Sequence, residues 1–356
     1  MTAWPPIEVL SVGMVTPVGL TAGATASAIR AGISRVRKSH ILDKRLARLF
    51  AAFLEEEHLS PLDDALLGGM RSMPVRHQRM LRLASTALQE ATQTCNRPPP
   101  LLLSLPEPQP WGDSVGGAFL EHLAQQANVT LEIKQSQLFR QGRAGGLVAV
   151  ERALELLASG RTTQVLVGGV DTYCDAHLLA TLDSEDRLKV DGLSDGFVPG
   201  EGAAFLLLGT GGEAKRQKRT PLARITSAGT GSEPGHRYSR KPYLGEGLAQ
   251  AFRVLFERAP PQPPRIRCVY SGLNGESFWT KEWGVAYIRH SQHFEADYRT
   301  EHPAEFTGDP GAALGPMMLA LASIGISKGY RQGPCLVWCS SDLEERAAVM
   351  LRAATH

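Results

Sequence analysis

The chain has 356 residues, 43% of them hydrophobic and 21% charged, and a formal net charge of +2. Length and composition exclude a disordered chain and supply a core that needs no disulfide or metal staple. The near-neutral charge gives no electrostatic case for nucleic acid or a membrane surface as partner.

Met1 to Pro6 lack a basic start followed by an apolar run and do not read as a signal peptide. No stretch of about eighteen apolar residues is present, so no spanning helix is expected. The five cysteines, Cys95, Cys174, Cys268, Cys335 and Cys339, are scattered and odd in number. They read as reduced, mostly buried thiols of a cytoplasmic protein. Glu8 to Gly19 reads as a buried strand running into a Gly/Pro turn, followed by a helix from Thr21 to Ala31 closed by Gly32. Residues 35–75 mix basic Arg35, Arg37 and Lys38 with acidic Glu55, Glu56 and Glu57, the pattern of a solvated insertion. A helix is predicted from Arg76 to Thr92, a strand from Leu101 to Leu105 after the Pro98–Pro100 turn, and a helix over about 114–127.

An internal repeat follows. Gly145 to Ser159 has helical apolar spacing through Leu147, Val150, Leu154 and Leu157, then a turn and the strand Val165–Val167. Gly311 to Ile326 is a second, small-residue helix, followed by a turn and the strand Cys335–Trp338. Each half also opens with a strand and a glycine turn, Val9–Gly13 in the first and Arg267–Gly272 in the second. Two α/β halves with all-apolar strands predict buried sheets covered by helices. The polar run Gly211–Arg219 divides them into 1–210 and 220–356, and Pro260–Pro264 is a rigid connector.

Four segments carry a family resemblance: Val12–Gly19, Gly168–Asp171, Asp195–Ala204, read as a glycine-rich hairpin, and Gly308–Gly315. In this order they resemble the β-ketoacyl synthases of the thiolase superfamily. The resemblance implies an α/β thiolase fold, a duplicated five-layer α/β/α/β/α arrangement with mixed sheets. It also implies a homodimer, or a heterodimer with a ketosynthase-like chain, paired through the strand before Gln141–Gly146. In that family a cysteine opens the first helix and two histidines complete the site. Here the nucleophile position matches Arg143, or Gln141 or Gly142 if the match slips by one or two residues; the histidine positions fall near Ser271 and at Asp309, and the terminal glycine-rich loop is replaced by Cys339–Asp342. Arginine is always protonated and cannot attack a thioester. The resemblance therefore implies a pseudoenzyme that acts as a binding or assembly subunit. Were activity kept, it would be acyl transfer of the 3-oxoacyl-carrier-protein synthase type. Arg143-Ala144-Gly145-Gly146-Leu147 is similar to the turn of chain-length factors, the partners of active ketosynthases. Residues 273–284 and 308–313 are closer to thiolase-like proteins associated with type VI secretion, which favours a secretion accessory. An acyl carrier protein or a secretion-system protein is the partner implied.

Two readings of Arg143 and Asp309 stay open. They form an ion pair that plugs the former pocket, or Asp309 only caps its helix while Arg143 points to solvent. Asn274, Glu276 and Glu282 form a new polar pocket, or they cap turns. Cys174 is read as a packed residue, since no histidine sits at a helpful spacing. His290 and His293 lack the further ligands of a metal site, and no cofactor is expected. Gly200-Glu201-Gly202 reads as a tight hairpin, since no phosphate-loop lysine follows it.

Overall fold

The computed structural model describes residues 7–68, 73–108, 115, 117–261 and 263–354. The N-terminal hexapeptide, residues 69–72 of the predicted insertion, residues 114 and 116 of the predicted 114–127 helix and Gln262 of the proline connector lie outside the described residues. In chain order the elements are β1 (Ile7–Val15), α1 (Ala22–Arg30), β2 (Arg37–Leu42), β3 (Arg48–Ala51), α2 (Asp64–Leu67), α3 (Val75–Thr92), β4 (Leu101–Ser104), α4 (Phe119–Gln126), β5 (Gln137–Phe139) and α5 (Gly142–Ala158). They continue with β6 (Gln164–Thr172), α6 (Ala176–Ser184), β7 (Glu201–Thr210), α7 (Gly211–Arg216), β8 (Ala223–Ser232), α8 (Glu246–Glu257) and β9 (Ile266–Ser271). The last are α9 (Ser277–His290), β10 (Phe294–Glu301), α10 (Ala304–Thr307), α11 (Leu314–Ser327), β11 (Cys335–Ser340) and β12 (Glu345–Arg352).

The sheet is written twice by one rule. β1 is antiparallel to β7, β7 antiparallel to β6, and β6, β4 and β5 run parallel. β8 is likewise antiparallel to β12, β12 antiparallel to β11, and β11, β9 and β10 run parallel. A short β1–β8 pairing at Ile7–Val9 joins both into one ten-stranded sheet. Three apolar clusters set the layers. One lies between the first five strands and α3 and α4, and one between the second five and α8 and α9. The third lies between the two sets of strands, around α5 and α11. The result is the expected five-layer α/β/α/β/α thiolase fold.

The middle layer is thin because its two helices meet on glycine. A Cβ on Gly146 would lie 2.3 Å from Pro316 Cδ, and one on Gly315 would lie 3.0 Å from Leu147 Cγ. Only hydrogen fits there, so α5 and α11 cross closely and their N-terminal ends are brought side by side. That juxtaposition builds the site.

Two expectations are corrected. The second half opens on β8, not on the Arg267–Gly272 strand, which is β9 and corresponds to β4 in the sheet order. The strand was hidden because Ala223–Ser232 is small and polar rather than apolar. It needs small residues: a Cβ on Gly229 would lie 2.2 Å from Ala251 O of α8, as one on Gly13 would lie 2.0 Å from Ala87 O of α3. Gly200-Glu201-Gly202 is not a hairpin turn, and Glu201 and Gly202 begin β7, paired with Thr172 and Asp171 of β6. The solvated insertion contains the β2–β3 hairpin.

Candidate functional site

Arg143 is the second residue of α5, after Gly142 at φ +53°. The first turn of this helix is capped from a distant segment. Ala144 N donates to Ser341 Oγ at 3.0 Å, and Ser341 Oγ in turn donates to Gln141 O. A loop between β11 and β12 thereby satisfies amides that the helix leaves open. The opposite helix start is built by aspartates. Gly311 N donates to Asp309 Oδ1 at 2.9 Å, and Ala312 N donates to Asp171 Oδ2 at 3.0 Å.

The two starts are locked by charge. Arg143 Nη1 donates to Asp309 Oδ2 at 2.7 Å, with 4% and 0% of the two side chains exposed. Arg143 Nε donates to Ser340 O at 3.2 Å, and Nη2 donates to Asp342. The Trp279 ring lies 4.5 Å from the guanidinium carbon. The ion pair forms and Arg143 does not point to solvent, which corrects the reading of Asp309 as a cap alone; one Asp309 oxygen caps its helix and the other binds Arg143.

A second buried arginine, Arg187, extends the network. It donates to Glu276 at 2.9 and 3.1 Å, to Asp342 at 2.7 and 3.2 Å, and to Tyr238 Oη at 2.8 Å. Arg237 lies 3.1 Å from Glu276. Asn274 Nδ2 donates to Asp309 Oδ2 at 2.8 Å and to Glu276 Oε2 at 3.1 Å. Burial pulls the Asp342 carboxyl upward, but Arg187 and Arg143 outweigh it and hold it below the usual carboxylate range. Glu276 is lowered by the same balance, with burial opposed mainly by Arg187. Burial disfavours the Arg143 cation, yet Asp342 and Asp309 keep it charged well above its ordinary range.

Of the six sequence-predicted positions, Arg143, Asp309, Asn274 and Glu276 converge. Ser271 is buried at the end of β9, where its Oγ accepts from Leu273 N at 3.2 Å. Glu282 is bonded instead to Arg346, Oε1 to Nε at 2.5 Å, and both side chains are fully buried. Arg187, Asp342 and Trp279 were not singled out as site residues, and nothing in local sequence pattern marks them. Asp342 stands in the Cys339–Asp342 segment already noted as a departure.

A cavity of about 250 Å³ opens beside this network. Its wall includes Gly142, Arg143, Tyr173, Gly311 and Asp342, with Leu178 and Leu182 of α6 on an apolar side. Deeper, Asp171 accepts from Arg76 Nη2 at 2.7 Å. Glu107 lies against Gly142, and its Oε1 accepts from Leu343 N at 3.1 Å. Burial, then the Asp342 charge, pushes Glu107 from 4.5 up to about 8. The folded protein therefore keeps a proton that the unfolded chain releases above about pH 4.5. This contribution to stability is present at low pH and lost as pH rises toward 8, by up to about 1.4 kcal/mol per pH unit. Glu107→Gln is expected to flatten that slope in denaturation curves between pH 5 and 8, and an unchanged slope would refute the assignment.

The arrangement offers no activated thiol. Cys174 is half-buried just beyond β6, and burial raises its pKa with Arg79 opposing. Cys339 is fully buried, and burial raises its pKa as well, with Arg143 opposing. Among the described residues no group of three metal-ligating side chains occurs, and no helix is long and apolar enough to cross a membrane.

Comparison with known proteins fits this geometry. Residues 142–214, from the start of α5 into α7, match the model for the beta-ketoacyl synthase N-terminal domain. A tetracenomycin polyketide synthase ketoacyl synthase beta subunit of Streptomyces glaucescens is 31% identical over 157 residues, 39% of this chain and 36% of that protein. A hybrid polyketide–nonribosomal peptide synthetase of Penicillium oxalicum is 29% identical over 141 residues, covering 4% of its length. The chain thus spans little more than a third of the first relative and far less of the second. Among solved structures, the ketosynthase from module 6 of the bacillaene synthase of Bacillus subtilis 168 superposes with a TM-score of 0.81 at 14% identity, over 99% of this chain and 73% of its own. The ishigamide ketosynthase/chain length factor superposes at 0.76 and 16% identity, over 99% and 100%. A ketosynthase in complex with its type II polyketide synthase acyl-carrier protein superposes at 0.76 and 15%, over 99% and 100%. Residues 142–214 thus resemble a beta-ketoacyl synthase N-terminal domain, and the whole chain shares the fold of these ketosynthase structures.

Proposed function

We propose that this protein is a non-condensing ketosynthase-like subunit that works by binding a ketosynthase-like partner chain. The observation that carries the reading is Arg143. It stands where the resemblance puts the nucleophilic cysteine, and its guanidinium is held by Asp309, Asp342 and Ser340 O. Decarboxylative condensation needs a thiolate to carry the acyl group and donors aimed at the developing oxyanion. At this position the donors of Arg143 are already committed to two carboxylates and a backbone carbonyl, and the second histidine position holds Asp309. A polar lock joins the halves 1–210 and 220–356 in place of the acyl-enzyme site.

The choice of partner follows the relatives. One is named a ketoacyl synthase beta subunit and one solved structure is a ketosynthase/chain length factor, so a heterodimer with an active ketosynthase in the cytoplasm is favoured. An acyl carrier protein is the second candidate partner, since one similar structure is a complex with such a protein. The edge strand β5, just before α5, is the surface proposed for pairing. The type VI secretion association rests on the resemblance of residues 273–284 and 308–313 alone.

Incubation with malonyl and medium-chain acyl thioesters, followed by intact-mass measurement, is expected to show the unmodified protein. A stoichiometric acyl adduct on any of the five cysteines would establish thioester chemistry and end the pseudoenzyme reading.

A further inference from the structure

Cys268 of β9 and Cys335 of β11 are register partners on adjacent parallel strands. Partner residues on a parallel pair project to the same face, and both thiols enter the central apolar cluster. Neighbouring strands are spaced about 4.7–4.9 Å, inside the Cα separation of about 4.4–6.8 Å that a disulfide spans. Cys268 also lines a cavity of about 500 Å³ at the end of the sheet, together with Tyr330, Arg331 and Gln332. No other pair among the five cysteines stands in register across two strands of this sheet.

We propose that Cys268 and Cys335 form a reversible oxidation site, a vicinal-strand disulfide made by hydrogen peroxide that enters through this cavity. The Cys268 hydrogen bond first, and burial second, hold the Cys335 proton on well above the usual thiol range. Cys268, at the cavity wall, is therefore the attacking thiol and Cys335 the resolving one. Arg331 lines the same cavity as Cys268. In the first step the Cys268 sulfur attacks one peroxide oxygen and the O–O bond breaks. The thiol proton leaves with the other oxygen as water, and Cys268 becomes a sulfenic acid. In the second step the Cys335 sulfur attacks the sulfenic sulfur. The S–S bond forms, the S–O bond breaks, and the hydroxyl leaves with the Cys335 proton as a second water. Two thiols are oxidised and one peroxide is reduced to two waters.

The product would cross-link the two strands whose far ends lead to the charged network. β9 runs toward Asn274 and Glu276, and β11 ends at Ser340, just before Asp342.

The test uses the intact folded protein and hydrogen peroxide. Intact mass is expected to fall by two hydrogen atoms, and non-reducing proteolysis should yield one cross-linked peptide joining Cys268 to Cys335, removed by dithiothreitol. Cys335→Ser should abolish the cross-link and leave a sulfenic acid on Cys268 that dimedone labels. The double variant Cys95→Ser/Cys174→Ser should retain the cross-link in full, and it keeps the test valid if Cys335→Ser fails to fold. Oxygen addition to Cys95 or Cys174 with Cys268 and Cys335 still reduced, or a cross-link between any other pair, overturns the proposal.

Discussion

Arg143→Ala is expected to destabilise the protein by about 3–5 kcal/mol, the usual cost of leaving a buried charge without its partner. Asp309 would lose its guanidinium while fully buried, and the Ser340 carbonyl would lose a donor. Trp279 would lose a cation at 4.5 Å, a contact worth about 0.5–2 kcal/mol. Asp342 is less exposed to this loss, because Arg187 still donates to both its oxygens. The remaining defect is therefore concentrated on Asp309. Neutralising that residue should relieve it: Arg143→Met combined with Asp309→Asn is expected to recover at least half of the loss. The carboxamide oxygen of the Asp309→Asn variant can still accept from Gly311 N, so the helix cap survives. Chemical unfolding of the wild type, Arg143→Met, Asp309→Asn and the double variant, followed by far-UV and tryptophan signals together, gives the coupling energy of the pair. Strictly additive losses, or a cost for Arg143→Met below about 1 kcal/mol, would show that the helix starts are not held by this pair.

The same pair shows what sequence carried and what it could not. Arg143 and Asp309 were legible because each opens a helix marked by glycine and apolar periodicity, and because the two helices repeat. Their meeting depends on Gly146 and Gly315, which permit the close helix crossing. Asn274 and Glu276 were legible as polar residues after a strand. Arg187 was not, since it follows a surface helix in a stretch with no periodic signal, and only folding brings it beneath Asp342. Strand β8 was missed for a related reason. Apolar runs announce strands that pack by side chain, but β8 packs its glycines onto the α8 backbone. Ser271 rests on the family resemblance, and the geometry gives it a local role in the turn after β9. Glu282 lay near its partners in sequence, but it stands on α9 and meets β12.

Arg346→Met should match Arg143→Ala in size and differ in its signature. Arg346 is fully buried and bonded to Glu282, also fully buried. Its Nη1 donates to the carbonyls of Ser341, Leu343 and Glu345 at 2.8, 2.6 and 3.0 Å. One guanidinium therefore gathers the β11–β12 loop, which delivers Asp342 to both arginines and Ser341 to the start of α5. Removing it takes the cation from one buried carboxylate and a donor from three carbonyls, of which Glu345 O keeps Ser341 N, at a cost of about 3–5 kcal/mol near neutral pH. Burial already raises the Glu282 pKa, with Arg346 opposing, so the variant should hold that proton more tightly still. The sign follows. The folded variant keeps the proton and the unfolded chain releases it above about pH 4.5, so stability falls as pH rises. The deficit relative to wild type should thus be smaller at pH 5 than at pH 8. Amide exchange at Ser341 and Leu343, which donate to Glu345 O and Glu107, should accelerate in the variant. Glu282→Gln, which retains an acceptor for Arg346 Nε, should leave the loop protected and cost less. A pH-independent deficit with unchanged loop exchange would mean that Arg346 fills space in the core and does not fasten the loop on which the charged network depends.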